Sequence, residues 1–325
     1  MEKFFKVKEH GSTVKTEVLA GITTFMAMAY ILMVNANMFS ELGVVSYNAI
    51  YIATAISAVV GTFLIAFLAN LPLGLASGMG LNAFFVYTVC FTFGLSYANA
   101  LILVLLDGVV FIILTLTGVR KMLFDAIPQC VRMAISAGIG LFIALLGAKN
   151  CGLIVANDAK NCLSFGDLAS PSVIVAAIGF LILMVIKARN VPGGMILAIV
   201  LTTIVGIPFG VTHAPEQIFS LPAGIGKQFL NIDFLGALNF AYIPFLIALF
   251  VPDFFSTFGT VLGVGAKAGY LDKDGNLPGI DKCFKVDAIS TSLGALFGMP
   301  SMTTYLESSA GVEAGGKTGL TVIFT

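Results

Sequence analysis

Ten apolar segments, most of them long enough to cross a membrane, run through this 325-residue chain and limit what it can fold into. A helix needs about 20 mostly apolar residues to cross the hydrocarbon core of a bilayer. Charged residues make up only 10% of the chain, whereas a soluble domain carries about 25%. The pattern therefore predicts an all-α polytopic membrane protein and excludes a soluble globular domain. The segments lie at residues 18–38, 49–69, 73–93, 99–118, 130–148, 171–187, 191–211, 238–263, 284–298 and 300–312.

The basic residues predict how these segments are oriented. If the N-terminus is cytoplasmic and each segment crosses once, all but three of the 17 Lys and Arg residues fall in inside loops. The three in outside loops are Lys149, Lys160 and Lys227. This bias agrees with the positive-inside rule, so we predict a cytoplasmic N-terminus. Because the net charge is zero, we expect no nucleic acid as a partner. The apolar composition makes the lipid bilayer the expected partner.

Three acidic residues, Asp107, Asp253 and Glu307, lie inside apolar segments. An acidic side chain at the bilayer centre costs about 2.5–3.5 kcal/mol, so a functional role is the first hypothesis for each. The alternative is a buried carboxyl that only hydrogen-bonds a neighbouring helix. The regular sequence around Asp107 favours this alternative, and the irregular sequence around Asp253 and Glu307 favours function. We expect Asp287, near a segment end, to reach the membrane interface.

Two segments contain helix-breaking residues at membrane depth. Residues 71–85 read LPLGLASGMGLNAFF and residues 296–312 read LFGMPSMTTYLESSAGV. We predict an extended piece in each, followed by a helix that begins near Met79 in the first and near Thr304 in the second. Such backbone persists in a membrane only where protein or a cavity surrounds it. Two interrupted segments in corresponding positions of two halves indicate a transporter binding site.

Polar side chains near these breaks are candidate substrate contacts. Asn82 and Glu307 would each lie one turn into a half-helix, whose N-terminus presents free backbone N–H groups. Thr257 would lie one turn beyond Asp253 on the same helix face. For Asn82 the alternative is an interhelical hydrogen bond, and for Thr257 it is a bond to its own helix. Phe84 and Phe25 are candidate walls for a flat ligand.

One motif is declined as a functional site. Residues 311–318 read GVEAGGKT and match the literal phosphate-loop pattern. That loop works between a buried strand and a helix of an α/β domain, whereas here it follows a membrane segment. We predict a glycine-rich cytoplasmic loop.

Four stretches of the sequence carry a family resemblance. They are GITTFMAMAYILMVN, SGMGLNAFF, DFFSTFGTVLGVGAKAGYLDKDGNLP and TTYLESSAGVEAGGKTGLT. Together they resemble the azaguanine-type purine permeases of the nucleobase:cation symporter-2 (nucleobase–ascorbate transporter) family, which carry adenine, guanine or hypoxanthine. The resemblance implies two inverted seven-segment repeats, with short strands and half-helices in segments three and ten. About ten of these fourteen segments would be present, so we expect a C-terminally truncated chain.

The resemblance also implies a division into domains and a departure from the family pattern. Residues 1–118 would form core segments one to four, residues 119–237 gate segments five to seven, and residues 238–325 core segments eight to ten. Ser256 stands where the family usually has a second acid, which bears on proton coupling and purine selectivity. The resemblance leaves open whether the protein is a homodimer.

The function implied is secondary active import of purines across the cell membrane by proton symport with alternating access. Asp253, Glu307 and Asn82 match the family's substrate site by position, and Glu307 or Asp253 would carry the proton. We expect no cofactor. The alternatives are a carrier of uracil, xanthine or a small anion on the same fold, and a non-functional remnant. A membrane enzyme would need a nucleophile–base or metal constellation, and a channel would need a polar stripe along several helices; the sequence has neither.

Overall fold

The computed structural model describes residues 2–119, 147–157, 162–189, 194–212, 242–270 and 279–325, with isolated residues between these ranges. Two compact units are formed, one by Met1–Ser136 with Pro222–Thr325 and the other by Ala137–Leu221. The predicted segment 130–148 lies largely outside the described residues, and Lys160 and Lys227 lie entirely outside them. The core and gate assignments stay predictions.

Helices dominate both units. In chain order the elements are α1 Val14–Met28, α2 Tyr30–Ser40, α3 Tyr47–Leu68, β1 Leu75–Ser77, α4 Met79–Ala83, a π-helix Phe84–Thr92, α5 Tyr97–Leu116, β2 Ile154–Asn157, β3 Cys162–Phe165, α6 Pro171–Ala188, α7 Gly194–Gly206, α8 Ile243–Lys267, α9 Ile280–Leu296, β4 Met302–Thr304, α10 Ser308–Glu313 and α11 Gly319–Phe324.

The long helices have the length and composition of membrane spans. Among the described residues, five helices are long and apolar enough to cross a bilayer: Val14–Ser40 (α1 with α2), α3, α5, α6 and α8. Several begin at a hydroxyl N-cap, as where Ser96 Oγ accepts from Asn99 N at 3.2 Å and Ser46 Oγ from Ala49 N at 3.4 Å. Such caps satisfy backbone N–H groups that a helix leaves open. The protein is a multi-pass membrane protein; the number of segments and the inverted repeat stay predictions.

Both predicted interruptions are present, and they meet. β1 and β4 pair antiparallel in the register Leu75↔Thr304, Ala76↔Thr303 and Ser77↔Met302. Backbone bonds extend the pairing on either side, from Gly78 N to Ser301 O at 3.1 Å and from Tyr305 N to Gly74 O at 2.9 Å. The extended backbone is buried and satisfied by its partner strand, as membrane depth requires.

The starts of the two half-helices test the sequence predictions separately. α4 begins at Met79, as predicted. The prediction of a helix beginning near Thr304 was wrong, because α10 begins at Ser308. Residues 302–304 form strand β4 instead, since their backbone groups pair with β1 and are not available to a helix.

Aromatic side chains pack α8 against both α5 and α9 in the larger unit. A buried cluster joins Phe111, Phe254, Phe258, Phe284 and Ala288. α5 and α9 approach closely, because a Cβ on Gly108 would lie 2.3 Å from Ser292 Oγ. Phe254 and Phe258 sit one turn apart on the helix that carries Asp253, so this packing fixes the rotation of α8.

The smaller unit has its own close contact and a short hairpin. α6 packs on α7, where a Cβ on Gly179 would lie 2.6 Å from the Thr202 methyl carbon. β2 and β3 pair antiparallel from Ile154↔Phe165 to Asn157↔Cys162.

Candidate functional site

Asp253 lies on α8 beside the crossing strands. Its side chain is fully buried, and Ser301 Oγ, which directly precedes β4, donates a hydrogen bond to Asp253 Oδ2. Pro252, the residue before it, lies inside α8 and has no backbone N–H, so the carbonyl of Ala248 loses its helical donor. The structure thus places Asp253 at a local irregularity of α8, next to the interrupted segment that contains β4.

Glu307 lies between β4 and α10. The prediction that it sits one turn into a half-helix was wrong, since it directly precedes Ser308, the first residue of α10. Its side chain is half-buried. Tyr30 Oη donates a hydrogen bond to Glu307 Oε1 at 2.6 Å, which ties the first membrane segment to the second break.

Asn82 lies in α4 and is fully buried. Its Oδ1 accepts from Ser77 Oγ at 2.8 Å, and its Nδ2 donates to Asn35 Oδ1 at 2.7 Å. The interhelical hydrogen bond considered as an alternative is therefore formed. Asn35 Nδ2 is itself buried and has no hydrogen-bond partner among the described residues, so an amide donor at the end of this chain of bonds remains unused.

Thr257 lies one turn after Asp253 and is fully buried. Its hydroxyl donates to Asp287 Oδ1 at 2.8 Å rather than to its own helix, and lies 3.2 Å from Thr303 Oγ1 of β4. Ser256 Oγ, at the position of the missing acid, is 3.4 Å from the same Thr303 hydroxyl. These hydroxyls join α8 to β4.

Asp287 does not reach the membrane interface, so that prediction was wrong. Its side chain is 0% exposed. α9 begins at Ile280, so Asp287 is two turns inside the helix, and its contact with Thr257 faces the second break. The larger unit therefore holds a buried carboxyl at the site that sequence reasoning missed.

The two aromatic candidates differ in position. Phe84 is half-buried and opens the π-helix directly after α4. Phe25 is 47% exposed and lines an apolar cavity of about 140 Å³ together with Phe63, Ala76 and Ile323. Asp253, Glu307 and Asn82 do not line that cavity, so Phe25 is not brought to these side chains.

Four of the residues predicted to contact the substrate lie at the β1–β4 pair. Three of them contact residues of the strands or directly beside them, and the fourth follows β4 in the chain. Asp253 and Thr257 contact residues 301 and 303, Asn82 contacts Ser77, and Glu307 follows β4 by three residues. Their polar groups are carboxylates, an amide and a hydroxyl, which suit a ligand with several N–H donors and ring acceptors. In the described part of the chain, no group of three or more His, Cys, Asp or Glu side chains could hold a metal ion.

The GVEAGGKT stretch has a structural use in this fold. Glu17 is fully buried in the first turn of α1. Its carboxylate accepts from Lys317 N at 3.1 Å, and from Thr318 N at 3.2 Å and Thr318 Oγ1 at 2.9 Å. Thr321 Oγ1 donates to it as well. A carboxylate of the protein itself therefore occupies the donors that a phosphate loop would offer to a nucleotide.

Tyr270, which lies three residues after the end of α8, contacts the same loop. Its hydroxyl donates to the carbonyl oxygen of Lys317. Burial, and then the nearby Glu17 carboxylate, raise the pKa of the Tyr270 phenol well above its ordinary value. The phenol therefore stays protonated and remains a donor at physiological pH.

Comparison with known proteins covers nearly the whole chain. The model of the Permease family matches residues 15–325. The chain is 36% identical over 323 residues to the adenine permease AdeP of Escherichia coli, covering 99% of this chain and 72% of AdeP. It is 38% identical over 324 residues to the guanine/hypoxanthine permease PbuO of Bacillus subtilis, covering 98% of this chain and 74% of PbuO.

Among solved structures, the transmembrane domain of the cyanobacterial bicarbonate transporter BicA has a similar fold. Its TM-score is 0.64 at 15% sequence identity, over 95% of this chain and 79% of that domain. At this identity the likeness concerns the fold alone.

Proposed function

The chain belongs to the Permease family, and we propose that it is a secondary active transporter that imports purine nucleobases across the cell membrane. Membership in this family makes the protein a transporter and not an enzyme. The purine specificity is supported by relatives named for adenine and for guanine and hypoxanthine, which match it over almost its full length.

One observation carries the proposal: two broken segments cross through β1 and β4, and carboxyl groups lie beside the crossing. A purine offers ring N–H donors together with ring nitrogen or carbonyl acceptors. Asp253 and Glu307 would accept the N–H groups, Asn82 and Thr257 would complete the polar contacts, and Phe84 would lie against the ring. A buried polar group left unpaired costs about 1–3 kcal/mol, so such a site discriminates against analogues that lack a donor.

Proton coupling is part of the same proposal. Glu307 or Asp253 would bind a proton while the site faces outward and release it inward. One elementary charge moving through 100 mV gains about 2.3 kcal/mol, which corresponds to an accumulation of tens-fold. Core residues 1–118 and 238–325 would move against gate residues 119–237, with the N-terminus in the cytoplasm.

Uptake into cells that lack their own nucleobase carriers tests the proposal. The 325-residue chain should accumulate tritiated adenine, guanine or hypoxanthine, and Glu307→Gln and Asp253→Asn should each lower uptake at least tenfold, because a charged hydrogen-bond acceptor is lost. A protonophore should abolish accumulation. Competition by uracil, xanthine or bicarbonate separates a purine carrier from the alternatives on this fold.

Matched controls come from carboxyls on the surface of the larger unit. Glu9 and Asp281 are exposed, so Glu9→Gln and Asp281→Asn change the same chemistry away from the site and should leave uptake unchanged. Wild-type uptake in both site variants would contradict the site, and a parent chain that accumulates none of the three purines would contradict the function.

A further inference from the structure

Tyr30 and Glu307 form a short hydrogen bond between two membrane segments. Tyr30 Oη lies 2.6 Å from Glu307 Oε1, at the short end of the range for hydrogen bonds from an O–H donor to oxygen. Tyr30 is the first residue of α2, directly after the turn at Ala29 that separates α1 from α2. The sequence gives no sign of this role, because a tyrosine in an apolar segment resembles any membrane-facing aromatic residue.

The backbone holds this pair in register. A Cβ on Gly311 would lie 2.0 Å from Thr24 Oγ1 and 2.7 Å from Ala20 O, so α10 lies directly against α1. Glu307 is one turn before Gly311, and Tyr30 follows α1 on the same segment. The Tyr30–Glu307 distance therefore follows from close backbone packing rather than from a chance meeting of two long side chains.

The described residues engage one oxygen of the Glu307 carboxylate. Oε1 accepts from Tyr30, and Oε2 has no hydrogen-bond partner among the described residues. A carboxylate fixed through one oxygen cannot rotate freely, so its second oxygen points in a set direction. Fixing the acceptor before the ligand arrives reduces the entropy lost on binding.

We propose that Tyr30 is a positioning residue for Glu307, which orients the carboxylate and presents Oε2 to a ring N–H of the substrate. The inference rests on the proposed function and adds a specificity-determining residue to it. Tyr30 acts through Glu307 and makes no contact with the purine itself. Losing its hydroxyl should therefore matter only while residue 307 is a carboxylate.

A double-mutant cycle in purine affinity tests this directly. The parent, Tyr30→Phe, Glu307→Gln and the double variant are purified as 325-residue chains in lipid nanodiscs, and equilibrium binding of tritiated adenine and hypoxanthine is followed into the millimolar range. Tyr30→Phe should weaken binding about tenfold, as expected for a hydrogen bond to a charged group. In the Glu307→Gln background the same change should have no further effect, because the two residues act as one unit.

Tyr305 supplies a matched control in the same region. Its hydroxyl donates at 2.6 Å to the carbonyl oxygen of Ser77, a backbone group and not a substrate ligand. Tyr305→Phe should change affinity by the same factor in both backgrounds.

Each outcome bears on one claim. Equal losses from Tyr30→Phe in both backgrounds, no loss in the parent background, or a Tyr30→Phe chain that does not fold would assign the hydroxyl a structural role and overturn the inference. Those results leave the proposed function intact as long as the parent binds purine. A parent that binds neither purine would overturn the proposed function, and this inference with it.

Discussion

The side-chain amide of Asn82 donates a 2.7 Å hydrogen bond to Asn35 Oδ1, and both residues are completely buried. With the bond from Ser77 to Asn82, this contact connects β1, α4 and α2 through side chains alone. Asn82 is thus a structural link between the first segment and the first break, whether or not it also contacts a substrate. Within membrane interiors such bonds are modest individually but are costly to leave half-made.

Asn82→Leu should lower the free energy of unfolding by about 1–3 kcal/mol for each buried group left without a partner. The double variant Asn82→Leu/Asn35→Leu should lose less unfolding free energy than the two single variants lose in sum, because it leaves fewer polar groups unpaired. Thermal or denaturant unfolding in detergent measures both. Asn48 is exposed, so Asn48→Leu should change stability by about 0.5 kcal/mol or less. Strict additivity of the two site changes would mean that the residues do not interact.

Glu17→Gln should loosen the loop that precedes α11. The Glu17 carboxylate accepts four hydrogen bonds from the backbone or side chains of Lys317, Thr318 and Thr321, and bonds to a charged group contribute about 1.5–3 kcal/mol each. Hydrogen–deuterium exchange of a peptide covering residues 315–322 should become faster by at least tenfold. Glu9→Gln, at an exposed site, serves as the control, and unchanged exchange in Glu17→Gln would rule out this anchoring role.

Gly311→Ala should displace the half-helix that follows Glu307. The added Cβ would lie 2.0 Å from Thr24 Oγ1, and the Ala20 carbonyl limits how far the neighbouring segment can yield. Purine affinity should therefore fall by more than tenfold even though residue 311 touches no substrate. Gly263→Ala is the matched control, because its Cβ would meet only a Leu306 methyl at 3.7 Å. Similar affinities for the two variants would show that α10 can shift without disturbing the site.

Thr257→Val removes the 2.8 Å hydrogen bond to Asp287 while keeping the side-chain shape. Unfolding free energy should fall by about 1–3 kcal/mol, because the donor to a buried carboxyl is lost. Thr257→Ser keeps the hydroxyl and should stay within about 1 kcal/mol of the parent. A Val variant as stable as the Ser variant would mean that this contact does not stabilise the fold.

The breaks could be predicted because glycine and proline change backbone preference locally. The clusters around Gly78 and Pro300 interrupt long apolar segments, and Met79 follows as the first helical residue. The start of α10 could not be predicted in the same way. Residues 302–304 become a strand only because β1, more than 200 residues earlier in the chain, supplies its hydrogen-bond partners.

The site shows the same limit. Asp253 and Glu307 could be found from their cost in an apolar segment, and Asn35 could have been found by applying the same rule to amides. Asp287 was assigned to the interface because it lies near the end of an apolar segment, yet its helix turns the carboxyl toward Thr257. The role of Glu17 could not be predicted, since nothing in the nearby sequence indicates that its donors come from residues 317–321.

The central claim is that a purine binds where β1 crosses β4, against the carboxyls of Asp253 and Glu307. An experimental structure of the chain in nanodiscs with bound adenine or hypoxanthine tests it most directly, through the distance from each ring nitrogen to the nearest carboxylate oxygen. The account predicts a ring N–H within hydrogen-bond distance of Asp253 or Glu307. A purine bound elsewhere, with no ring nitrogen within hydrogen-bond distance of either carboxyl, would contradict it.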